Sequence, residues 1–304
     1  MLHAVVARSE RATAKANTKA KSESPLPPFS KGGKAKAVRP LPDSRFPIPD
    51  SRFPIPKNPM PTLIFTPRHS EDSQALWKAA ARQGWSVERL PGWRVPEHLR
   101  ALPEPVFYGE ALFGPSISEQ LGLILSNPPE DWLVRLPHEH RLRDIRLSTL
   151  GAERASTTAA FIKPPNDKSF PAQVYTGAEL PQGYDEDMPV LVSAVVRWRC
   201  EFRCFVLDRE LRTYSLYSRD GELARDSGFA STAEEDAGLR EFIGRVLADS
   251  RVDLPRACVI DAGIIDGGDW ACVEQNAAWG AGLYACDPDA VLEVLRFAGE
   301  RVER

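Results

Sequence analysis

The 304-residue sequence lacks the marks of several large protein classes. No stretch approaches the roughly 18 consecutive apolar residues of a helix that crosses a membrane, so no membrane partner is expected. The opening residues, MLHAVVARSE, have no apolar core of a secretory signal, and a cytoplasmic location is expected. Cysteines number only five, at positions 200, 204, 258, 272 and 286, and none forms a Cys-x-x-Cys. Their odd number and spacing argue against a disulfide framework or a zinc site, and predict buried, reduced thiols. There is no G-x-G-x-x-G, so nothing suggests a dinucleotide fingerprint. Basic charge is scarce beyond position 59. Residues 60–304 carry 27 Lys and Arg against 38 Asp and Glu, a net −11, which argues against a nucleic-acid surface there.

What is present is an ordinary globular composition, 42 per cent hydrophobic and 27 per cent charged, in a chain long enough for two domains. Residues 1–59 stand apart. They hold 12 basic and 4 acidic residues, ten of the 27 prolines and no tryptophan. Within them DSRFPIP occurs at 43–49 and again at 50–56. Two copies are too few for a solenoid, and the segment buries too little to offset its ordering entropy. It reads as a disordered basic, Pro-rich tail, with a flexible tether as the functional alternative. Met60 directly precedes the first strand pattern and reads as a candidate start.

Two regions follow the tail. Residues 60–129 alternate strand and helix: a strand at 62–66, a helix with Leu76, Ala79 and Ala80 at helical spacing and Gly84 as its stop, strands near 86–90 and 106–109, and a helix over 116–125. That order predicts a small parallel α/β unit. Residues 130–304 read differently. A loop and helix over 132–150 carry Arg135, Arg141, Arg143 and Arg146. His138 and His140 in LPHEHR sit too close together for one helix face and read as a solvated loop. Strands are expected at 160–163, 173–176, 190–196, 200–207 and 211–218, a helix over 233–248, and a closing helix capped by Asp287 with Pro288 at its first position.

The chain's most informative stretch is CVIDAGIIDGGDWACVEQN, residues 258–276. It predicts a hairpin whose turn is centred on Gly267 and Gly268. In that register Ile265 faces Trp270, Gly263 faces Cys272 and Asp261 faces Glu274. Side chains alternate along a strand, so Asn276 joins Asp261 and Glu274 on one face. Opposed carboxylates roughly 5 Å apart at Cβ repel, and something positive is expected between them. Two carboxylates and an amide oxygen are hard ligands of the kind Mg²⁺ accepts. Taken alone, the pattern reads equally as a surface hairpin with acids on its wet face.

A lysine-bearing strand (Phe161-Ile162-Lys163-Pro164), a second lysine at Lys168, a Glu201-Phe202-Arg203 strand and a terminal Asp261 … Glu274-x-Asn276 set together resemble an ATP-grasp domain. The nearest resemblance is to the ATP-grasp clade named for one arginine and two lysines, over roughly residues 130–285. The resemblance implies an α/β and α+β architecture: a small parallel pre-ATP-grasp domain, then a two-subdomain ATP-grasp fold. It further implies a Mg²⁺-dependent carboxylate–amine ligase that binds ATP between the subdomains and forms an acylphosphate. Its partners would be a small-molecule or peptide carboxylate and an amine. On that reading Lys163 contacts the α- and β-phosphates and Lys168 sits on the loop covering them. Val192, Ser193, Ala194 and Val195 form the hinge beside adenine. Glu201 lines the nucleotide, Arg203 braces the transferred phosphoryl group, and Asp261, Glu274 and Asn276 hold Mg²⁺.

Two positions depart from that pattern. The loop 164–171, PPNDKSFP, has no glycine, and Ala194 stands where an acidic or amide residue would read the adenine amino group. Lys163 also reads as a lysine guarding a strand edge, and Glu201 with Arg203 as a structural pair. The competing functions are a phosphotransferase acting on a hydroxyl and a nucleotide-binding interaction module without turnover. The first expectation concerns the tail. A truncation starting at Met60 should keep the parent melting temperature, and limited proteolysis should stop near that residue; a large drop in melting temperature would refute a dispensable tail.

Overall fold

A computed structural model describes residues 60–302 apart from position 167; the tail and its repeat lie outside the described residues. The first strand, β1 (Thr62–Phe65), is buried at all four positions. It is followed by α1 (Glu71–Arg82), β2 (Ser86–Arg89), a single helical turn α2 (Glu97–Arg100) and β3 (Pro105–Tyr108). β1 lies between β2 and β3, parallel to both, as a fully apolar strand with helical crossovers should. Ser70 opens α1 through a capping box with Ser73, and Leu76, Ala79 and Ala80 face inward.

The helix expected over 116–125 is shorter. It runs as α3 (Gly114–Leu121) and stops at Gly122, whose φ is 65°. Leu123–Leu125 then forms a strand, β4. The apolar run LGLIL fits either state by composition, and pairing with the end of the chain selects the strand. The stretch expected as loop and helix over 132–150 also differs. It holds two helical turns, α4 (Trp132–Arg135) and α5 (His138–Arg141), then a strand, β5 (Ile145–Thr149), and α6 (Leu150–Arg154). β5 alternates apolar and polar residues over only four positions, and Ile145 alone is buried, so its strand signal is short.

β6 (Ala160–Lys163), β7 (Gln173–Tyr175) and β8 (Pro189–Ser193) complete a four-stranded antiparallel sheet with β5, in the order β5-β8-β6-β7. The larger sheet follows: β9 (Trp198–Leu207), β10 (Glu210–Arg219), a two-residue β11 (Glu222–Leu223), β12 (Ala257–Ile265) and β13 (Trp270–Asn276). Its order is β11-β10-β9-β12-β13. α7 (Ala233–Ala248) covers one face with Leu239, Phe242, Ile243, Val246 and Leu247, packed on Phe202, Cys204, Val206, Ile260 and Cys272. The other face is divided. Phe205, Leu207, Ala257 and Val259 join the core of the first sheet together with α8 (Pro288–Leu295). The polar residues of the same face lie beyond them. The chain ends in β14 (Gly299–Arg301), antiparallel to β4. All five cysteines are buried and unpaired, and burial pushes the thiols of Cys258, Cys272 and Cys286 up to about 12.

The hairpin corrects the expected register in part. Gly267 and Gly268 adopt positive φ as expected, 109° and 94°. The loop is wider, however, with Ile265 N–H donating to Asp269 O. Ile264, not Ile265, therefore faces Trp270, and Ala262, not Gly263, faces Cys272. A bulge then adds one residue to β13, and Asp261 faces Glu274 after all.

Gly263 marks a close approach. A Cβ there would lie inside contact distance of the Cys200 carbonyl oxygen and 2.9 Å from the Trp198 ring, whereas one on Gly244 of α7 meets nothing within 4 Å. Gly263→Ala should cost about 1–3 kcal/mol, and Gly244→Ala should stabilise by about 0.5–1 kcal/mol. Urea unfolding of the two variants checks the pair.

Candidate active site

β9 brings Glu201 and Arg203 to the polar part of the larger sheet's face, and β12 and β13 bring Asp261, Glu274 and Asn276. Asp261 pairs across the ladder with Arg203 on one side and with Glu274 on the other. Its side chain is fully buried. Arg203 meets it with a fork: Nε donates to Oδ1 at 3.0 Å and Nη2 to Oδ2 at 2.7 Å. Asn276 Nδ2 donates to Asp261 Oδ2 and to Glu274 Oε1, at 3.0 Å each. Lys163 reaches over from β6 of the other sheet to the Glu274 carboxylate. The positive charge expected between the two acids is thus supplied twice, by one cation for each.

The energetics follow from burial. Losing one partner of a buried, hydrogen-bonded pair such as Arg203–Asp261 typically costs about 3–5 kcal/mol. Burial opposes the charge on Arg203, but the Asp261 carboxylate outweighs it and holds the guanidinium well above its ordinary value. Burial would likewise raise Glu274, yet the Lys163 ammonium and the hydrogen bonds from Lys163 and Asn276 bring it below the usual carboxylate value. Burial also raises the Asp261 carboxyl, which the Arg203 guanidinium offsets only in part, and Glu201 resembles Asp261 in this. Burial raises its carboxyl, and the hydrogen bond that Tyr217 donates to it at 2.8 Å offsets this only in part.

The remaining predicted residues lie around this group. Lys168 is exposed on the loop after β6. Val192 and Ser193 are buried at the end of β8, Val195 is exposed, and Ala194 donates its N–H to Asp144 O at 2.9 Å. These four residues lead from the smaller sheet into β9. A narrow crevice between Lys163 and Leu191 on one sheet and Glu274 and Gln275 on the other separates the sheet edges. A wider cavity of about 320 Å³ lies along β10 against Phe229, Asp236 and Arg240 and contains none of the predicted residues. The Lys163–Glu274 pair lines the crevice, and Asn276 joins it to the buried Arg203–Asp261 pair, which makes the crevice the better seat for chemistry.

Several residues of the site were not anticipated. Tyr217 and Tyr284 stack at 5.1 Å, and the Arg203 guanidinium lies 5.4 and 5.0 Å from their ring centres. Arg203 Nη1 also donates to Gly282 O at 3.2 Å. Asp72, in the first turn of α1, accepts from Leu283 N–H at 3.2 Å, and burial raises its carboxyl. Tyr284 has a positive φ of 54°, rare for an aromatic residue; no local motif announces it. His140, expected in a solvated loop, is buried instead, with Nε2 2.9 Å from Asp249 Oδ2. His138 is exposed.

The Glu201 environment gives a pH test. A carboxyl raised in the folded state makes folding most favourable below its unfolded value, and that stability is lost as pH rises through the folded value. Glu201→Gln keeps an acceptor for Tyr217 and removes the charge. It should be more stable than the parent at neutral pH, with the difference closing below the ordinary glutamate value. Denaturant unfolding at the two pH values measures it, and a difference independent of pH would refute the assignment.

With the geometry in view, the chain can be set beside known proteins. Residues 140–294, just over half of the chain, match an ATP-grasp domain, that of family 2 in the clade named for one arginine and two lysines. No curated protein matches the sequence. Among solved structures the fold is similar to that of a D-cycloserine synthetase at 14% identity, covering 78% of this chain and 97% of that one with a TM-score of 0.49. It is also similar to a RimK domain ATP-grasp protein from Sphaerobacter thermophilus at 13% identity, covering 78% and 99% with a TM-score of 0.46. A third is D-alanine–D-alanine ligase from Bacillus anthracis at 11% identity, covering 79% and 97% with a TM-score of 0.43. On the match over residues 140–294, the chain belongs to the ATP-grasp domain family, in family 2 of the one-arginine, two-lysine clade.

Proposed function

We propose that this protein is an ATP-dependent carboxylate–amine ligase that works through an acylphosphate, with Mg²⁺–ATP held between the four-stranded and five-stranded sheets. One observation supports this above others. Lys163 from one sheet meets Glu274 from the other at the crevice, and Asn276 links Glu274 to the buried Arg203–Asp261 pair beside it. No group of three or more His, Cys, Asp or Glu suited to a metal stands among the described residues. The donor set that fits Mg²⁺ is two carboxylates completed by the Asn276 amide oxygen, hard ligands that leave room for water and phosphate oxygens. Bound there, Mg²⁺ would neutralise charge on the phosphates.

The chain's own residues would do the rest. Lys163 turns from Glu274 to the α- and β-phosphates, and Lys168 covers them from its loop. Val192–Val195 border the adenine with backbone groups. Arg203 commits three of its five N–H donors to Asp261 and Gly282, which leaves two for oxygens of the transferring phosphoryl group. That group passes from ATP to the substrate carboxylate, releasing ADP. The amine then attacks the acyl carbon, inorganic phosphate leaves, and the nitrogen loses a proton. Catalysis of this kind is mostly positioning and electrostatic stabilisation. The reading keeps a pre-ATP-grasp unit over residues 60–129 and an ATP-grasp domain over 130–304, with α8 and β14 of the second packed into the first.

A second reading draws on the same arginine. Arg203 is pinned to both oxygens of Asp261, which suits a nucleotide-binding module that no longer turns over. Incubation with ATP, Mg²⁺ and pooled amino acids, followed by ADP and phosphate measurement, separates the readings. Amine-dependent release of both supports the ligase. ADP with a stable phosphorylated product makes the protein a phosphotransferase, and binding without turnover makes it a module. Lys163→Ala should weaken ATP binding and turnover together, whereas Arg203→Ala should lower turnover more than affinity. Mg²⁺–ATP at a hundredfold excess over its dissociation constant should stabilise the parent by about 2.7 kcal/mol, and Glu274→Gln should abolish most of that gain. A parent whose thermal melt ignores Mg²⁺–ATP would overturn the nucleotide site.

A further inference from the structure

The bulge in β13 decides where Glu274 points. On the turn side of it Ala262 faces Cys272, and on the far side Asp261 faces Glu274, with Val273 as the additional residue. Were the turn-side register continued, Val273 would face Asp261 and Glu274 would face Ile260. Side chains alternate along a strand, so Glu274 would then share the face of Ile260, among the apolar residues under α7. The site would lose its second carboxylate. A bulge disrupts the ladder locally and leaves backbone groups in need of other partners.

Arg143 supplies them. Its guanidinium, only 8% exposed, donates from Nη1 to Cys272 O at 2.7 Å and from Nη2 to Val273 O at 3.0 Å. A third bond runs from Nη1 to Arg141 O at 2.9 Å. No carboxylate forms a salt bridge with it among the described residues, and burial brings it down to about 10. The guanidinium also lies 5.0 Å from the Trp198 ring centre, and Trp198 covers Gly263 beside the bulge. A buried cation without a salt-bridge partner is costly, and its hydrogen bonds here go to carbonyl oxygens, two of them in the bulge. Arg143 also precedes β5 by two residues, so the contact ties the leading edge of the four-stranded sheet to the strand that carries Glu274.

We infer that Arg143 is a positioning residue: by bridging the two bulge carbonyls it fixes the register of β13 and so the direction of Glu274. The consequence for Mg²⁺–nucleotide rests on the ligase reading above; the register itself does not. A length change isolates the effect. Deleting Val273 removes the extra residue, and the turn-side register then brings Glu274 opposite Asp261 with no bulge to hold. The Val273 deletion should therefore rescue a variant that lacks the arginine.

The experiment compares the parent, Arg143→Met, the Val273 deletion and their combination. Amide hydrogen exchange without nucleotide should show faster exchange over Ala271–Asn276 in Arg143→Met, with α7 unchanged, and recovered protection in the combined variant. Mg²⁺ affinity in the presence of ATP should fall by about 10–100-fold in Arg143→Met, as for other residues that orient a ligand from outside its shell, and return in the combined variant. Unchanged exchange over β13, faster exchange spread evenly over the chain, or no rescue by the deletion would each overturn the inference. Should Arg143→Met not fold, Arg143→Lys, which keeps the charge and loses the fork, gives the same readings. A parent that shows β13 protection and its loss in the variant, but binds no Mg²⁺–ATP, would refute the ligase reading and leave Arg143 as the holder of the register.

Discussion

The structure depends on one fully buried carboxylate. Asp261 sits on the middle of three adjacent strands, β9, β12 and β13, with no exposure to water. An isolated charge in such a place would be prohibitively costly. The fold meets that constraint with the fork of Arg203 on one neighbouring strand and the amide of Asn276 on the other. Once Arg203 is fixed, its remaining surface needs cover, and the stacked rings of Tyr217 and Tyr284 provide it. Gly282, Leu283 and Tyr284 are drawn in with them, and Leu283 is tied back to Asp72 at the start of α1. The pair therefore organises residues from the start of α1 to the segment before α8.

Glu274 plays the complementary part. Its partner Lys163 comes from the other sheet, so this contact spans the crevice. Its side chain keeps about 30% exposure, against none for Asp261. A partly wet pair of this kind exchanges partners at lower cost than the buried one. Asp261 and Arg203 thus form the rigid part of this cluster and Lys163 with Glu274 the looser part, the part that on the proposed reading would rearrange around phosphate. The split face of the five-stranded sheet has the same logic, with apolar residues toward α8 and polar ones toward the crevice.

Much of this was legible from residue order. The α7 span expected from the sequence, Ala233–Ala248, matches its observed bounds because its apolar face keeps a helical period; the structure adds Thr232 as its cap. The lysine strand ended where Pro164 forbids another ladder bond. Elements with too short a signal depart from the expected pattern: β4, too short to alternate, and β5, which alternates over only four mostly exposed positions. His140 was taken for a loop residue because its partner, Asp249, lies 109 positions away.

The sequence alone determined that Glu274 and Asn276 share one face, since a period of two suffices for that; that Asp261 lies on it too rests on the bulge. The sequence also placed Lys163 and Arg203 on strands. The tertiary structure decided which cation serves which acid, because Lys163 and Glu274 meet only when two sheets approach. It decided that Arg203 is enclosed by two tyrosines, from β10 and from the segment before α8. It decided, too, that the turn-side register is displaced by one residue and restored at Val273. Turn residues set where a hairpin begins. Only backbone carbonyls held by a distant side chain, here Arg143, set where it slips.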